Sequence, residues 1–171
     1  MKIKKFLMTL AIPVIAMTFA SCSDDDDTPD VNNVPTKFTE SFNKLYPEVK
    51  TAKWETKGQY RVAEFKQNNN MIETEVWFDS KADRVMVHND YGENLFLIPT
   101  VINDAIVDSQ YGTMPWSVDD IDEYVMTGSS FFVIEAEAAG QPDTYVFIND
   151  AGQVVKEVTG NIPDITPGYQ L

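Results

Sequence analysis

The chain has 171 residues and carries 27 acids against 13 lysines and arginines, a formal charge of −14. Such a surface repels phosphate backbones, and no Lys/Arg cluster offsets that repulsion, so nucleic-acid binding is excluded. One cysteine and one histidine leave no pair for an intramolecular disulfide, a His/Cys metal site or a histidine relay.

In chain order, Lys2, Lys4 and Lys5 precede an apolar run from Phe6 to Ala20, the pattern of an export signal over 1–21 and too short for a good transmembrane helix. Phe19-Ala20-Ser21-Cys22 resembles the bacterial lipobox, with Phe19 where Leu is usual. The resemblance implies cleavage before Cys22 and acylation of its thiol and new amino terminus. The competing reading is an ordinary signal peptide with a stray thiol, but an odd cysteine in an exported chain calls for a role, and lipidation supplies one. Two or three acyl chains hold a protein stably at a membrane, so membrane contact is expected through the lipid anchor alone. Removing 1–21 takes away three lysines and no acid, which leaves a formal charge of −17. Residues 22–35, opening on Asp24 to Asp27, self-repel and read as an acidic flexible tether. This acidic run resembles the signal that sends lipoproteins of the Bacteroides group to the outer face of the outer membrane; a tether without an address is the alternative. The expected location is the cell envelope, at a surface-exposed site on the outer membrane.

Folded sequence begins near Thr36. Phe38, Phe42, Leu45 and Tyr46 mark one face of a helix that Pro47 ends. Ala52–Lys57, Tyr60–Gln67, Met71–Phe78 and Arg84–Asn89 then alternate with turn residues, the pattern of antiparallel hairpins. Tyr60 and Val62 are out of phase with Phe65, which suggests a bulge near Ala63-Glu64, or else Tyr60 on an exposed face. A second helix starts after Pro99 with Val101, Ile102, Ala105 and Ile106, and four more strand signals follow: Ile121–Met126, Phe131–Ala138, Tyr145–Ile148 and Val154–Val158. Val76-Trp77-Phe78-Asp79 matches Val146-Phe147-Ile148-Asn149, and Val85 matches Val155, all at an offset of 70. The predicted class is α+β: a tandem repeat of helix plus four-stranded antiparallel meander, units at about 36–90 and 97–158, helices on one face of the sheet, and a C-terminal tail over 159–171.

The helix with two phenylalanines, Tyr46-Pro47, Trp54, Gly58 with Tyr60, the strand end Val76 to Asp79, and Leu97-Ile98-Pro99 together resemble the PepSY-like, β-lactamase-inhibitor-like (BLIP-like) lipoproteins of Bacteroides-type bacteria, over about residues 36–158. The resemblance implies an antiparallel sheet whose open, concave side grips a target. Its motifs are packing and turn residues, so no inhibitory contact residue is carried over.

Alternation puts Ile72, Thr74, Val76 and Phe78 on one face of their strand, and Val85 with Val87 on one face of the next, all expected to pack on the helices. The other face carries Met71, Glu73, Glu75, Trp77, Arg84, Met86 and His88, and in the second unit Phe131, Val133, Glu135, Tyr145, Phe147 and Val154. Large aromatics on a face that should be wet are the anomaly. Trp77, Met86, Phe131, Tyr145 and Phe147, flanked by Glu73 and Glu75, form a candidate partner-binding face. The alternative is a second core, covered by the tail Gly160–Leu171 or the linker Gly112–Trp116.

No catalytic set is evident. His88 reads as a surface side chain, Ser129-Ser130 lack a nucleophile elbow, and carboxylate abundance alone assigns no acid and base. No cofactor is expected; calcium is the one to weigh, at Asp79, Ser80 and Asp83, where Lys81 and Arg84 break the EF-hand spacing, or at Asp119, Asp120, Asp122 and Glu123. The favoured reading is a non-catalytic, lipid-anchored envelope module that binds a protein or peptide, or inhibits one. The other is a periplasmic calcium-responsive or structural envelope protein.

Overall fold

A computed structural model describes residues 34–171; the predicted export signal, Cys22 and all but the end of the predicted tether lie outside the described residues. In chain order the elements are helix α1 (Thr36–Leu45), strands β1 (Lys53–Lys57), β2 (Tyr60–Gln67), β3 (Ile72–Phe78) and β4 (Arg84–Asp90), helix α2 (Thr100–Val107), a 3-10 turn (Gln110–Gly112), and strands β5 (Trp116–Met126), β6 (Ser129–Ala138), β7 (Thr144–Asn149) and β8 (Val154–Thr159). The eight strands form one antiparallel sheet in sequence order. The class is α+β.

Local chemistry accounts for the elements. Pro47 forces Tyr46 out of the helical region, at φ −131° and ψ 65°, and so stops α1. Asn68, Asn69 and Asn70 take three successive positive φ values to turn β2 into β3, a conformation asparagine tolerates better than most residues. Val34, at the end of the predicted tether, packs with α1 instead.

Phe38 and Phe42 of α1 lie on Trp54, Phe65 and Phe78, with ring centroids 5.4 to 6.4 Å apart for Phe42–Phe65, Phe42–Trp54 and Phe38–Phe78. Ile102 and Ile106 of α2 lie on Ile121, Phe132, Ile134 and Ile148. Both helices therefore cover one face of the sheet, with a polar seam between their cores. There the fully buried Thr74 hydroxyl donates to Asn89 (2.9 Å), and Asn89 and Tyr91 both donate to Glu123 (2.8 Å each).

Three details depart from expectation. The bulge anticipated in β2 is absent: its pairing with β1 and β3 runs unbroken, with Ala63 and Phe65 facing the helices and Tyr60 and Val62 facing away. Apolar residues on both sides reflect two cores, not a slipped strand. The bulge lies instead at Val85, because Trp77 pairs with Met86 but Phe78 with Arg84. It sends Val85 to the face away from the helices and brings Arg84 opposite Phe78, beside Tyr46. The same shift recurs 70 residues later, where Phe147 pairs with Lys156 and Ile148 with Val154, so Val154 sits by Ile106 rather than on the outer face. Finally, β5 starts at Trp116, five residues before the apolar signal at Ile121, with a register shift between Val118 and Asp120.

The face away from the helices is half covered. Ile162, Ile165 and Tyr169 of the tail pack on Phe131, Val133 and Phe147, with the Tyr169 and Phe147 rings 6.2 Å apart and nearly parallel. The linker goes to the other side, where Tyr111 and Trp116 meet edge to face at 5.2 Å against the α2 core.

The turns before β4 and β8 match bond for bond. In each, the side-chain oxygen of Asp79 or Asn149 accepts from the backbone N–H two and four residues on, at 2.8 to 3.1 Å. Ala82 (φ 67°) and Gly152 (φ 76°) hold the left-handed position. A Cβ on Gly152 would stand 2.8 Å from the Val101 carbonyl oxygen. Gly152→Ala is therefore expected to lower unfolding free energy by about 2 kcal/mol, from left-handed strain plus displacement of α2. Ala82→Gly, which relieves strain but removes a buried methyl, should change it by less than about 1 kcal/mol. Ile165→Ala, which opens a hole over Phe131 and Phe147, should cost about 2 kcal/mol. Urea denaturation measures all three.

Candidate functional site

Where the tail stops covering the sheet, a groove of about 650 Å³ remains, floored by Trp77, Met86 and Tyr124 and rimmed by Tyr60 on one side and Ile162 to Thr166 on the other. Strand alternation brings Trp77 and Met86 side by side as a cross-strand pair on this face. Trp77, 6% exposed, meets Tyr60 at a centroid distance of 5.8 Å, and Met86 is 1% exposed. The floor is therefore large, apolar and fixed.

One wall is polar and connected. Glu75 accepts from Lys57 Nζ (2.6 Å) and Trp77 Nε1 (3.0 Å). His88 Nδ1 lies 3.7 Å from Glu75 Oε2, and His88 Nε2 lies 2.5 Å from Asp122 Oδ1. The imidazole stacks on Tyr124 at 4.6 Å with the rings 3° from parallel. Burial works against charge on His88, but its bonds to Asp122 and Glu75 outweigh it and raise the group to about 9. Burial would likewise raise Glu75, but His88 and Lys57 bring it down to about 2. Both groups are charged at neutral pH.

The expected site residues divide among several environments. Trp77, Met86 and Glu75 meet in the groove. Phe131 and Phe147, 1% and 0% exposed, lie under the tail and are closed to a partner while it is seated. Tyr145 borders that covered core and donates to Glu135 (3.0 Å). Glu73 pairs with Lys66 (3.0 Å), outside the groove lining. Sequence reasoning weighed the tail as a cover for this face but missed Lys57 and Tyr124, and His88 is no surface side chain: it is 22% exposed and held by two carboxylates. The alternation that put His88 on the face of Trp77 and Met86 was the available signal.

The two acidic segments weighed for calcium have distinct surroundings. The Asp79 carboxylate caps its own turn, a task that the neutral Asn149 performs equally in the second half. Of the later segment, Asp119 groups with Glu135 and Glu137, Asp120 and Asp122 with Asp90, and Glu123 turns to the helix side. Burial, then the charges of Asp122 and Asp90, raise Asp120 to about 6.

An eight-stranded antiparallel sheet with two helices on one face is the BLIP-like fold. A BLIP-like protein from Bacteroides fragilis matches with a TM-score of 0.66 and 27% identity, over 82% of this chain and 99% of that one. A DUF2874 family protein from Bacteroides ovatus matches with a TM-score of 0.65 and 22% identity, over 75% and 89% of the two chains. A protein from Bacteroides eggerthii, described provisionally as periplasmic, matches with a TM-score of 0.63 and 22% identity, over 74% and 89%. No family model matches the sequence, and no curated protein matches it. Among the described residues no helix is long and apolar enough to cross a membrane.

The ionised network fixes a pH response. His88, raised from 6.5, adds stability that is complete below about pH 6.5 and is lost as pH rises through about 9. Glu75, lowered from 4.5, adds stability present above about pH 4.5 and lost as pH falls toward 2. Asp120, raised from 3.8, costs stability as pH climbs through about 6. The melting temperature should therefore peak near pH 5 and decline to pH 9, and His88→Gln should flatten the decline between pH 6.5 and 9.

Proposed function

We propose that this protein is a non-catalytic, lipid-anchored binding module of the cell envelope, of the PepSY-like and BLIP-like kind, that presents the open half of its sheet to a protein or peptide at the outer membrane surface. The observation that carries this reading is the groove: rigid aromatic and thioether side chains on a sheet face that the tail covers on one half and leaves open on the other. Buried aromatic anchors beside a polar rim are what protein-recognition sites require. His88 keeps its proton at neutral pH with both ring nitrogens facing carboxylates, so the imidazole is tied into the wall of the groove and is not poised as a general base. The matching bulges and turns 70 residues apart support reading the body as a doubled unit. Lipobox and acidic leader support attachment through Cys22. Lactamase inhibition is not inherited from the fold.

The second reading is a calcium-responsive or structural envelope protein, favoured by the Asp90, Asp120 and Asp122 group, whose ligand oxygens lie within 4.8 Å of one another. Photo-cross-linking on intact cells separates the two. A photoreactive phenylalanine at Tyr60, on the groove rim, should give a discrete adduct, and the same probe at the exposed Val101 of α2 should not. No adduct at Tyr60, together with a melting temperature raised by micromolar calcium, would instead establish the second reading.

A further inference from the structure

We propose that the segment this groove receives is basic: a lysine or arginine head takes the place now held by Lys57, between the Trp77 ring and the Glu75 carboxylate. The inference rests on the docking reading above and deepens it. Lys57 closes the β1–β2 hairpin with its Nζ 5.4 Å from the Trp77 centroid, 2.6 Å from Glu75 and 3.0 Å from Glu55, and its side chain is 37% exposed. The groove thus already recognises an ammonium through an aromatic face and a charged acceptor. That occupant hangs on a flexible four-carbon stem next to solvent and can leave; another cation can replace it without stranding Glu75 as an unpaired charge.

The covered half of the sheet repeats the aromatic ring and the ammonium, with the Tyr169 hydroxyl in place of the carboxylate. Phe147 stands 70 residues after Trp77, and Lys156 Nζ lies 5.1 Å from its ring and 5.6 Å from that of Tyr169. Here the aromatic, the ammonium and an extended apolar segment coexist, with Ile165 and Tyr169 supplying the segment. The open half has the first two and lacks the third.

Charge selects the sign of the partner. Glu55, Glu75 and Asp122 act on this site against Lys57 and His88. Asp164 adds a rim carboxylate that has no ion-pair partner among the described residues. With a formal charge of −14 on the whole chain, an acidic segment or a second copy of this protein meets repulsion and a cationic segment meets attraction.

The test is a titration of the full-length chain in detergent, followed by the NMR signal of the Trp77 indole N–H. The probes are three capped pentapeptides, Ile-Pro-Lys-Ile-Thr and its norleucine and glutamate analogues. The lysine peptide should shift Trp77 and bind at least about tenfold more tightly than the norleucine peptide, with the preference falling as salt rises. Lys57→Met, which removes the internal competitor, should tighten lysine-peptide binding several-fold, and Glu75→Gln should erase the preference. Because Glu75→Gln alters a part-buried network, Asp164→Asn on the exposed rim provides a second variant, expected to weaken the lysine peptide several-fold and leave the norleucine peptide unchanged. Equal binding of lysine and norleucine peptides at Trp77 would overturn the basic partner while sparing the docking reading. Silence of Trp77 toward all three peptides, in the wild type and in Lys57→Met alike, would also overturn it, and the cross-linking outcome at Tyr60 would then judge the docking reading alone.

Discussion

A sheet that is apolar on both faces has to be covered twice. In β2, Ala63 and Phe65 point to one side while Tyr60 and Val62 point to the other, and β3 does the same with Val76 and Phe78 against Trp77. The two helices cover the first side along the sheet. For the second side the chain supplies a tail of a dozen residues whose anchors, Ile162, Ile165 and Tyr169, reach over β6 and β7. The remaining area is filled by side chains that shield one another: Trp77 lies on Met86 and Tyr60, and Tyr124 stacks between His88 and Phe131. A groove with a fixed floor results from a cover that is too short.

The charges follow the same logic. With many acids and few bases, the chain places Lys57 and His88 in the groove and surrounds them with carboxylates. Partial burial makes each pairing count, and the network is complete: Glu75 holds Lys57, Trp77 and His88, and His88 holds Asp122. Glu75, Trp77 and His88 are held in place before any partner arrives, which lowers the ordering cost of binding. On the helix side, the Thr74, Asn89, Glu123 and Tyr91 seam does similar work between the two cores.

Strand number, strand order and turn positions were legible because turn residues interrupt clean apolar alternation, and β2 falls where its pattern places it. Bulges were not legible. Alternation assumes a period of two, and the extra residue at Val85 inverts that period for Arg84 and Val85, as Val155 does for Val154. The first half of β5 was hidden because Asp119 and Asp120 carry acids into a strand whose pairing comes from its neighbours rather than from apolar content. Of the site, Trp77, Met86 and Glu75 were readable as one face. The tail was readable as a candidate cover for this face, but not how far it reaches, since a Pro- and Gly-containing stretch without periodicity does not say on which strands it stops. His88 was misjudged because a single histidine has no partner visible in sequence, and its two carboxylates come from β3 and β5.

The junction of the halves explains why the groove lies where it does. Pairing of β4 with β5 sets Met86 against Met126 and His88 against Tyr124, so the floor crosses the boundary between the helix-plus-four-strand halves. Lys57, Glu75 and Trp77 come from one half, Tyr124 and Asp122 from the other, and the rim from the tail beyond both. Neither half contains the site. Each half's own outer-face aromatic, Trp77 or Phe147, has an ammonium above it, but the tail follows the second half and so reaches Phe147 first. The asymmetry of the face is thus a consequence of chain order: the half that directly precedes the tail in sequence is sealed by it, and over the half farther away a groove remains above the packed floor of Trp77, Met86 and Tyr124.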